Sequence, residues 1–157
     1  MPVADTMLRM AEAPGFYMAK WSPHILQELE RTLKGRFGYS PAQVRRRIDT
    51  MTRAFPEAMV TAYEDLMPAM TNDPKDRHVL AAAVKCGANV VVSDNVRHFP
   101  KESLAPHSLG CESADTFLLG QYRGHPDAFM GILFEQTEDI AWTLAELPPG
   151  TCRRSPS

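Results

Sequence analysis

The chain has 157 residues, of which 44% are hydrophobic and 23% charged, with a formal net charge of -2. These values allow one hydrophobic core and exclude a mainly disordered chain or a strongly basic nucleic-acid coat. The apolar runs are too short to span a membrane, and no signal peptide opens the sequence. Cys86, Cys111 and Cys152 are scattered and form no CxxC pair, which is typical of reduced thiols, so we expect one cytoplasmic globular domain.

The first half of the sequence alternates helix signals with short strand candidates. Ser22-Pro23 and Ser40-Pro41 each predict a helix start, because serine caps the first turn and proline fits the first helical position. Apolar residues at helical spacing extend these signals. Helices are predicted over 5–13, 22–35 and 40–54, and short strands over 16–21 and 59–63.

The second half opens with Asp73-Pro74, which predicts a helix that ends at Gly87. The segment over 88–92 ends in three β-branched valines and shows no apolar–polar alternation, which is typical of a parallel strand buried on both faces. A further strand is predicted over 108–111, helices over 114–123 and 126–147, and a flexible tail over 148–157. This alternation predicts an α/β domain over 1–147, in which helices flank a central parallel sheet.

Asp76 is the most informative single residue. On a helical wheel it falls with Val79 and Leu80 on the apolar face of the predicted helix, whereas His78 lies away from that face. A carboxylate there is costly to bury unless it is paired, hydrogen-bonded or bound to a cation. The alternative is that Asp76 complements the helix dipole and stays partly hydrated.

Three other acids could join Asp76 in one oxygen-rich cluster. Asp94 follows the buried strand, at the sheet edge where open α/β folds place ligands, although a turn-forming Asp-Asn pair is an alternative. Asp73 has the position of an N-cap, and Glu28 flanks an apolar stripe where a solvated charge is the alternative. Oxygen ligands suit Mg²⁺ or Mn²⁺ rather than zinc, and such ions can support phosphodiester hydrolysis.

Other site patterns are absent from the sequence. It contains no GxGxxG, GxxxxGK[ST] or GxSxG, so nucleotide-binding loops and serine hydrolase elbows lack support. The Arg45–Arg47 run could contact RNA phosphates or form a solvated helix face. The histidines show no ligand spacing and are expected on the surface or in supporting roles; they are His24, His78, His98, His107 and His125.

Three segments of the sequence resemble the PIN domain family. They run from Trp21 to Leu29, from Asp73 to Ala83 and from Val91 to Pro100. The combination of DPxDRHVLAAA, a buried strand and DNxRxFP is fairly specific, and it is most similar to the bacterial branch that includes VapC-type toxins. The resemblance extends over most of the chain, from about Asp5 to the last helix.

This resemblance implies a PIN-like three-layer sandwich and an endoribonuclease that uses Mg²⁺ or Mn²⁺. It implies that the metal is held, and catalysis performed, by acids from separated segments, with Asn95 as a supporting hydrogen-bonding residue. His98 stands where many relatives carry an acid. The implied metal ligands are Glu28, Asp73, Asp76 and Asp94, of which Glu28, Asp76 and Asp94 are also the implied catalytic residues. RNA is the implied substrate, and an antitoxin or a second copy the implied partner.

One departure from the family pattern concerns the start of the chain. The family opens with a central strand that ends in a metal-binding aspartate, whereas Met1 to Asp5 already aligns with the following helix. Asp5 is therefore interpreted as an N-cap or first-turn residue. We expect an N-terminally incomplete domain. Main-chain groups of the central sheet then lose hydrogen-bond partners, and apolar faces of the neighbouring helices lose the surface that covers them. An upstream start, a strand from another chain and a degenerate copy are the three explanations.

Two functions remain open on the sequence alone. The first is a metal-dependent ribonuclease, the toxin of a toxin–antitoxin pair. The second is a truncated, catalytically impaired binding module that retains an antitoxin or self-association surface. Packing within its own chain is the preferred explanation for the apolar residues of the predicted last helix, and partial packing against a partner is the alternative; these residues are Phe129, Ile132, Leu133, Ile140 and Trp142.

Overall fold

The computed structural model describes residues 2–12 and 16–145, with side chains described over 3–12 and 16–139. Its helices are α1 (Pro2–Glu12), α2 (Pro23–Gly35), α3 (Pro41–Ala54), α4 (Arg77–Lys85), α5 (Lys101–Leu104), α6 (Ala114–Gly124) and α7 (Pro126–Ala145). Its strands are β1 (Val90–Val92) and β2 (Gly110–Glu112). The predicted end of the last helix at 147, the tail over 148–157 and the packing of Ile140 and Trp142 lie outside the described residues and side chains.

The helix starts follow the local signals of the sequence. The Ser22 hydroxyl accepts a hydrogen bond from the Ile25 amide at 3.2 Å, and Ser40 and Gln43 form a reciprocal capping box at the start of α3. The Ser113 side chain caps α6 by accepting a hydrogen bond from the Thr116 amide. These side chains satisfy amides that lack partners in the first helical turn. The predicted starts of α2, α3 and α6 are therefore confirmed.

The two strands pair in parallel, with Val91 opposite Cys111. Helix α4 packs against β1, and the described helices flank this small sheet, which confirms the α/β fold class. The second strand begins two residues later than predicted, at Gly110 rather than Ser108. Ser108 has a φ of 54°, a left-handed conformation that a strand residue does not adopt.

The strands predicted over 16–21 and 59–63 are wrong except for one parallel bridge between Trp21 and Met59. The Trp21 amide donates to Ala58 at 3.0 Å, and the Val60 amide donates to the Trp21 carbonyl at 2.8 Å. Residues 16–20 form no main-chain hydrogen bond with other described residues. A strand needs a neighbour with which to pair, and local propensity does not supply one.

The hydrophobic interior has two parts. The larger cluster surrounds α4 and β1, and its buried residues are Val60, Tyr63, Met70, Leu80, Ala81, Ala82, Ala83, Val91, Phe99, Leu104 and Leu109. The smaller cluster surrounds Trp21, Leu26 and Ala58. In the described ranges, each helix is too short or too polar to serve as a membrane span.

A groove of about 540 Å³ lies between the two clusters and is lined by β1, α4 and the 16–21 segment. The prediction of a strand buried on both faces is wrong, because Val91 is buried whereas Val90 and Val92 are only partly covered. Asn89 and Ser93 hydrogen-bond towards β2. The main-chain groups of successive strand residues point to opposite edges of the strand. The amide and carbonyl groups of Val90 and Val92 therefore point to the edge of β1 that faces away from β2. No described strand pairs with that edge.

Candidate metal centre

Two groups of side chains are arranged so that each could hold a metal ion. The first, called the His24 group, consists of His24, Glu28 and His78. The second, called the Asp76 group, consists of Asp73, Asp76 and His98. Within each group the ligand atoms lie within 4.8 Å of one another.

A single tight turn places both carboxylates of the Asp76 group. Asp73 is the N-cap of a 3-10 turn over Pro74–Asp76, and its side chain accepts a hydrogen bond from the Lys75 amide at 3.0 Å. The Asp76 amide donates to the Asp73 carbonyl at 2.9 Å. The predicted N-cap role of Asp73 is confirmed, and this turn brings its carboxylate close to that of Asp76.

His98 completes the Asp76 group from a short 3-10 turn over Val96–His98. Its Nδ1 atom lies 2.6 Å from Oδ2 of Asp76, while its carbonyl accepts a hydrogen bond from the Asp73 amide at 3.1 Å. The His98 amide in turn donates to the Asn95 carbonyl at 2.8 Å. Both the side chain and the main chain of His98 are therefore tied to the group.

The helical-wheel prediction fails at the start of α4. Residues Pro74–Asp76 form a 3-10 turn and α4 begins only at Arg77, so the wheel drawn from residue 73 has the wrong angular step there. Asp76 lies at the helix boundary, with a side chain that is 19% exposed. His78, predicted to lie away from the core, is instead buried at 1% exposure.

The His24 group joins two helices that are distant in sequence. His24 and Glu28 are separated by one turn on α2 and share a face of that helix. His78 of α4 places Nε2 at 3.2 Å from Oε1 of Glu28. The rings of His24 and His78 stack, with centroids 3.7 Å apart and planes 16° apart. The group thus brings two imidazoles and one carboxylate together.

Burial favours the neutral form of the His78 imidazole. Burial lowers the pKa of His78, an effect that the Glu28 and Asp76 carboxylates partly oppose. Its Nδ1 atom is buried without a hydrogen-bond partner. A neutral imidazole is the form that binds a metal ion. The residues present thus fit a divalent cation, with carboxylate oxygens in both groups and imidazole nitrogens beside them.

The structure divides the predicted ligands among separate places. Glu28 belongs to the His24 group, and Asp73 and Asp76 belong to the Asp76 group. Asp94 follows β1, is exposed, and belongs to neither group. The amide of Asn95 donates to the Ser93 hydroxyl at 3.1 Å, so residues 93–95 form a compact turn after the strand.

The sequence shows no ligand spacing among the histidines, whereas the structure brings His24, His78 and His98 beside carboxylates, in groups whose ligand atoms lie within 4.8 Å of one another. The spacing of four residues between His24 and Glu28 is visible in the sequence and would have indicated a shared helix face. The part played by His78 has no such local signal, because it depends on the approach of α4 to α2.

The predicted basic face of α3 is mixed in character. Arg45 and Arg46 are exposed, as expected of a solvated helix face. Arg47 is partly buried and donates to the Asp5 carboxylate at 2.5 Å. Asp5 lies in the first turn of α1, which confirms its predicted position and shows that this pair ties α1 to α3.

The turn of α4, its two aspartates and the parallel strand that follows are the features on which the family resemblance depends. The PIN domain pattern matches residues 4–97, which is more than half of the chain. The chain belongs to the PIN domain family. This membership confirms the resemblance drawn from the three sequence segments, and it covers α1 to α4, β1 and the turn after it.

A curated relative of this PIN domain is the putative ribonuclease VapC50 of Mycobacterium tuberculosis. The two proteins are 40% identical over 88 residues, which is 54% of this chain and 52% of VapC50. The chain thus aligns with about half the length of that relative, and the likeness supports the VapC-type branch of the family. No solved structure matches the chain.

Proposed function

We propose that this PIN-domain protein is a metal-dependent endoribonuclease and the toxin of a toxin–antitoxin pair. The observation that carries the proposal is the Asp76 group, in which two carboxylates on one tight turn face His98. Membership of the PIN family and the ribonuclease name of its relative VapC50 support the same activity. RNA is the proposed substrate, an antitoxin the proposed partner and the cytoplasm the proposed compartment.

We propose Glu28, Asp76 and Asp94 as the catalytic acids, with Asp73 as a further metal ligand. A bound Mg²⁺ or Mn²⁺ supplies Lewis acidity and neutralises charge on the phosphodiester. His98 orients the Asp76 carboxylate through their 2.6 Å contact. Asn95 supports the site through its carbonyl, which holds the His98 amide.

Asp94 is the proposed acid with the greatest freedom to move. Its side chain is exposed and forms no hydrogen bond or ion pair among the described residues. It follows β1 by two residues, and the turn after it leads into His98. Asp94 thus lies on the same segment as His98, which supports its proposed place beside the Asp76 group.

The test is cleavage of a single-stranded RNA by the purified chain with Mg²⁺ or Mn²⁺, beside Asp76→Asn. Cleavage should fall by more than about 100-fold in this variant, since even outer partners of metal sites are worth 10- to 100-fold. The matched control is Asp49→Asn, because Asp49 is an exposed acid of α3 outside both groups. Cleavage that persists in Asp76→Asn in the presence of a chelator would contradict the proposal.

The groove beside β1 favours a second candidate function, a binding module that accepts a strand from another chain. The main-chain groups of Val90 and Val92 point into the groove on one side. On the other side, residues 16–20 are without main-chain partners among the described residues. An added strand could hydrogen-bond to both walls and cover the apolar lining, which is the recognition mode called β-augmentation.

Hydrogen exchange tests this second function. In the dilute chain the amides of Val90 and Val92 should exchange faster than the amide of Val91, which faces β2. Binding of a strand, from an antitoxin peptide or from a second copy at high concentration, should slow exchange at Val90 and Val92. It should also protect Cys86, which lines the groove, from a thiol reagent. Slow exchange of Val90 and Val92 in the dilute monomer would count against an open edge.

A further inference from the structure

We infer that the His24 group is a transition-metal site, selective for ions of the Zn²⁺ class over Mg²⁺. Its donors are two imidazoles and one carboxylate, contributed by His24, Glu28 and His78. Mg²⁺ prefers oxygen ligands, whereas imidazole nitrogens favour zinc, cobalt, nickel and copper. The donor set therefore differs in kind from the oxygen site that the proposed nuclease chemistry needs.

The geometry of the group is close to that of a ligand set. Its ligand atoms lie within 4.8 Å of one another, and zinc bonds to nitrogen or oxygen of about 2.0–2.2 Å require separations of roughly 3–4 Å. The Glu28–His78 pair, at 3.2 Å, already lies in this range, so the closing movement falls to His24. His24 is partly exposed at the start of α2, so its ring can supply this movement by turning out of the stack with His78.

The burial of His78 is the second observation that points to a ligand. The side chain is nearly fully buried, and one of its two nitrogens has no hydrogen-bond partner. Its other nitrogen, Nε2, lies 3.2 Å from Oε1 of Glu28, at the long end of the ordinary hydrogen-bond range. Buried polar side chains are usually better satisfied, so this imidazole is a donor whose partners are incomplete.

An ion in this group would fasten α2 to α4. His24 and Glu28 lie on α2, whereas His78 is 50 residues from Glu28, on α4. Three protein ligands leave positions for water, as in catalytic zinc sites rather than closed structural ones. Because the site takes Glu28, its occupation would also withdraw that carboxylate from the proposed Mg²⁺ or Mn²⁺ site.

The experiment is a titration of the chelator-treated protein with Co²⁺, a coloured substitute for Zn²⁺, followed by visible absorption. We expect an absorption band that Zn²⁺ removes and a large excess of Mg²⁺ does not. The affinity for Co²⁺ should fall more than tenfold in His24→Ala and in Glu28→Gln. It should be unchanged in the matched control His107→Ala, since His107 belongs to neither group.

Two results would overturn the inference: no Co²⁺ binding by the wild type, or equal Co²⁺ affinity in His24→Ala and the wild type. His24 is partly exposed, so its replacement leaves the fold intact, and circular dichroism checks this. The inferred site shares Glu28 with the proposed nuclease site, but its test measures Co²⁺ binding in the absence of RNA. A protein that binds Co²⁺ through His24 but, once freed of Co²⁺, cuts no RNA with Mg²⁺ or Mn²⁺ would refute the proposed nuclease and support this inference.

Discussion

The His24 group and the Asp76 group have similar side chains but are assembled differently. The Asp76 group is largely local: a 3-10 turn holds both aspartates, and a main-chain hydrogen bond from Asp73 fixes His98. The His24 group depends on the approach of α2 to α4, and its His78 ring is buried. The comparison teaches that potential metal ligands can be brought together by short-range hydrogen bonds in one place and by core packing in another.

The largest expected difference between the groups is in stability. We expect His78→Ala to lower the free energy of unfolding by about 2–4 kcal/mol, because it leaves a cavity in the core. His98 is 22% exposed in its side chain, so we expect His98→Ala to cost less than about 1 kcal/mol. Urea unfolding of both variants in chelator measures this difference. Equal costs would show that His78 is not a core residue.

The local group was easier to predict from the sequence than the assembled one. Asp73-Pro74 and the two serine–proline pairs are caps, whose effect is confined to one turn, and the structure confirms them. The placement of His78 failed because the sequence analysis assigned one buried stripe to this helix, whereas α4 also buries the face that carries His78, Ala81 and Ala82. The burial of this second face depends on packing around α4, which a helical wheel does not include.

The strands show the same division between local and long-range information. Val90–Val92 pairs with β2 as the apolar run predicted, because its partner is present. The 16–21 segment was also predicted as a strand but pairs only at Trp21. A strand is defined by its neighbours, so local strand propensity could not predict the open groove between these segments.

A smaller difference between the two groups is expected from the cap of α2, because this helix carries two members of the His24 group. Ser22 is fully buried and caps α2, which carries His24 and Glu28. We expect Ser22→Ala to cost about 1 kcal/mol of stability and to weaken Co²⁺ binding, because the first turn of α2 would fray.

Ser40→Ala is the matched control for this prediction. It removes an equivalent cap from α3, which carries no member of either group, so it should cost similar stability but leave Co²⁺ affinity unchanged. Thermal unfolding and the Co²⁺ titration measure the two properties. If Ser22→Ala lowers stability and leaves metal affinity intact, the cap does not position the His24 group.

The smallest expected effect is the pH dependence of stability that His78 contributes in the metal-free protein. Burial lowers the pKa of His78 below its ordinary value of 6.5, so the unfolded chain binds more protons than the folded chain in the window just below 6.5. The free energy of unfolding should therefore rise with pH through that window and fall as the solution becomes more acidic. His78→Gln cannot titrate, so its slope between pH 5 and pH 7 should be shallower, while His107→Gln should keep the wild-type slope. Urea midpoints across this range provide the measurement, and a slope unchanged by His78→Gln would mean that the folded chain does not hold this ring neutral.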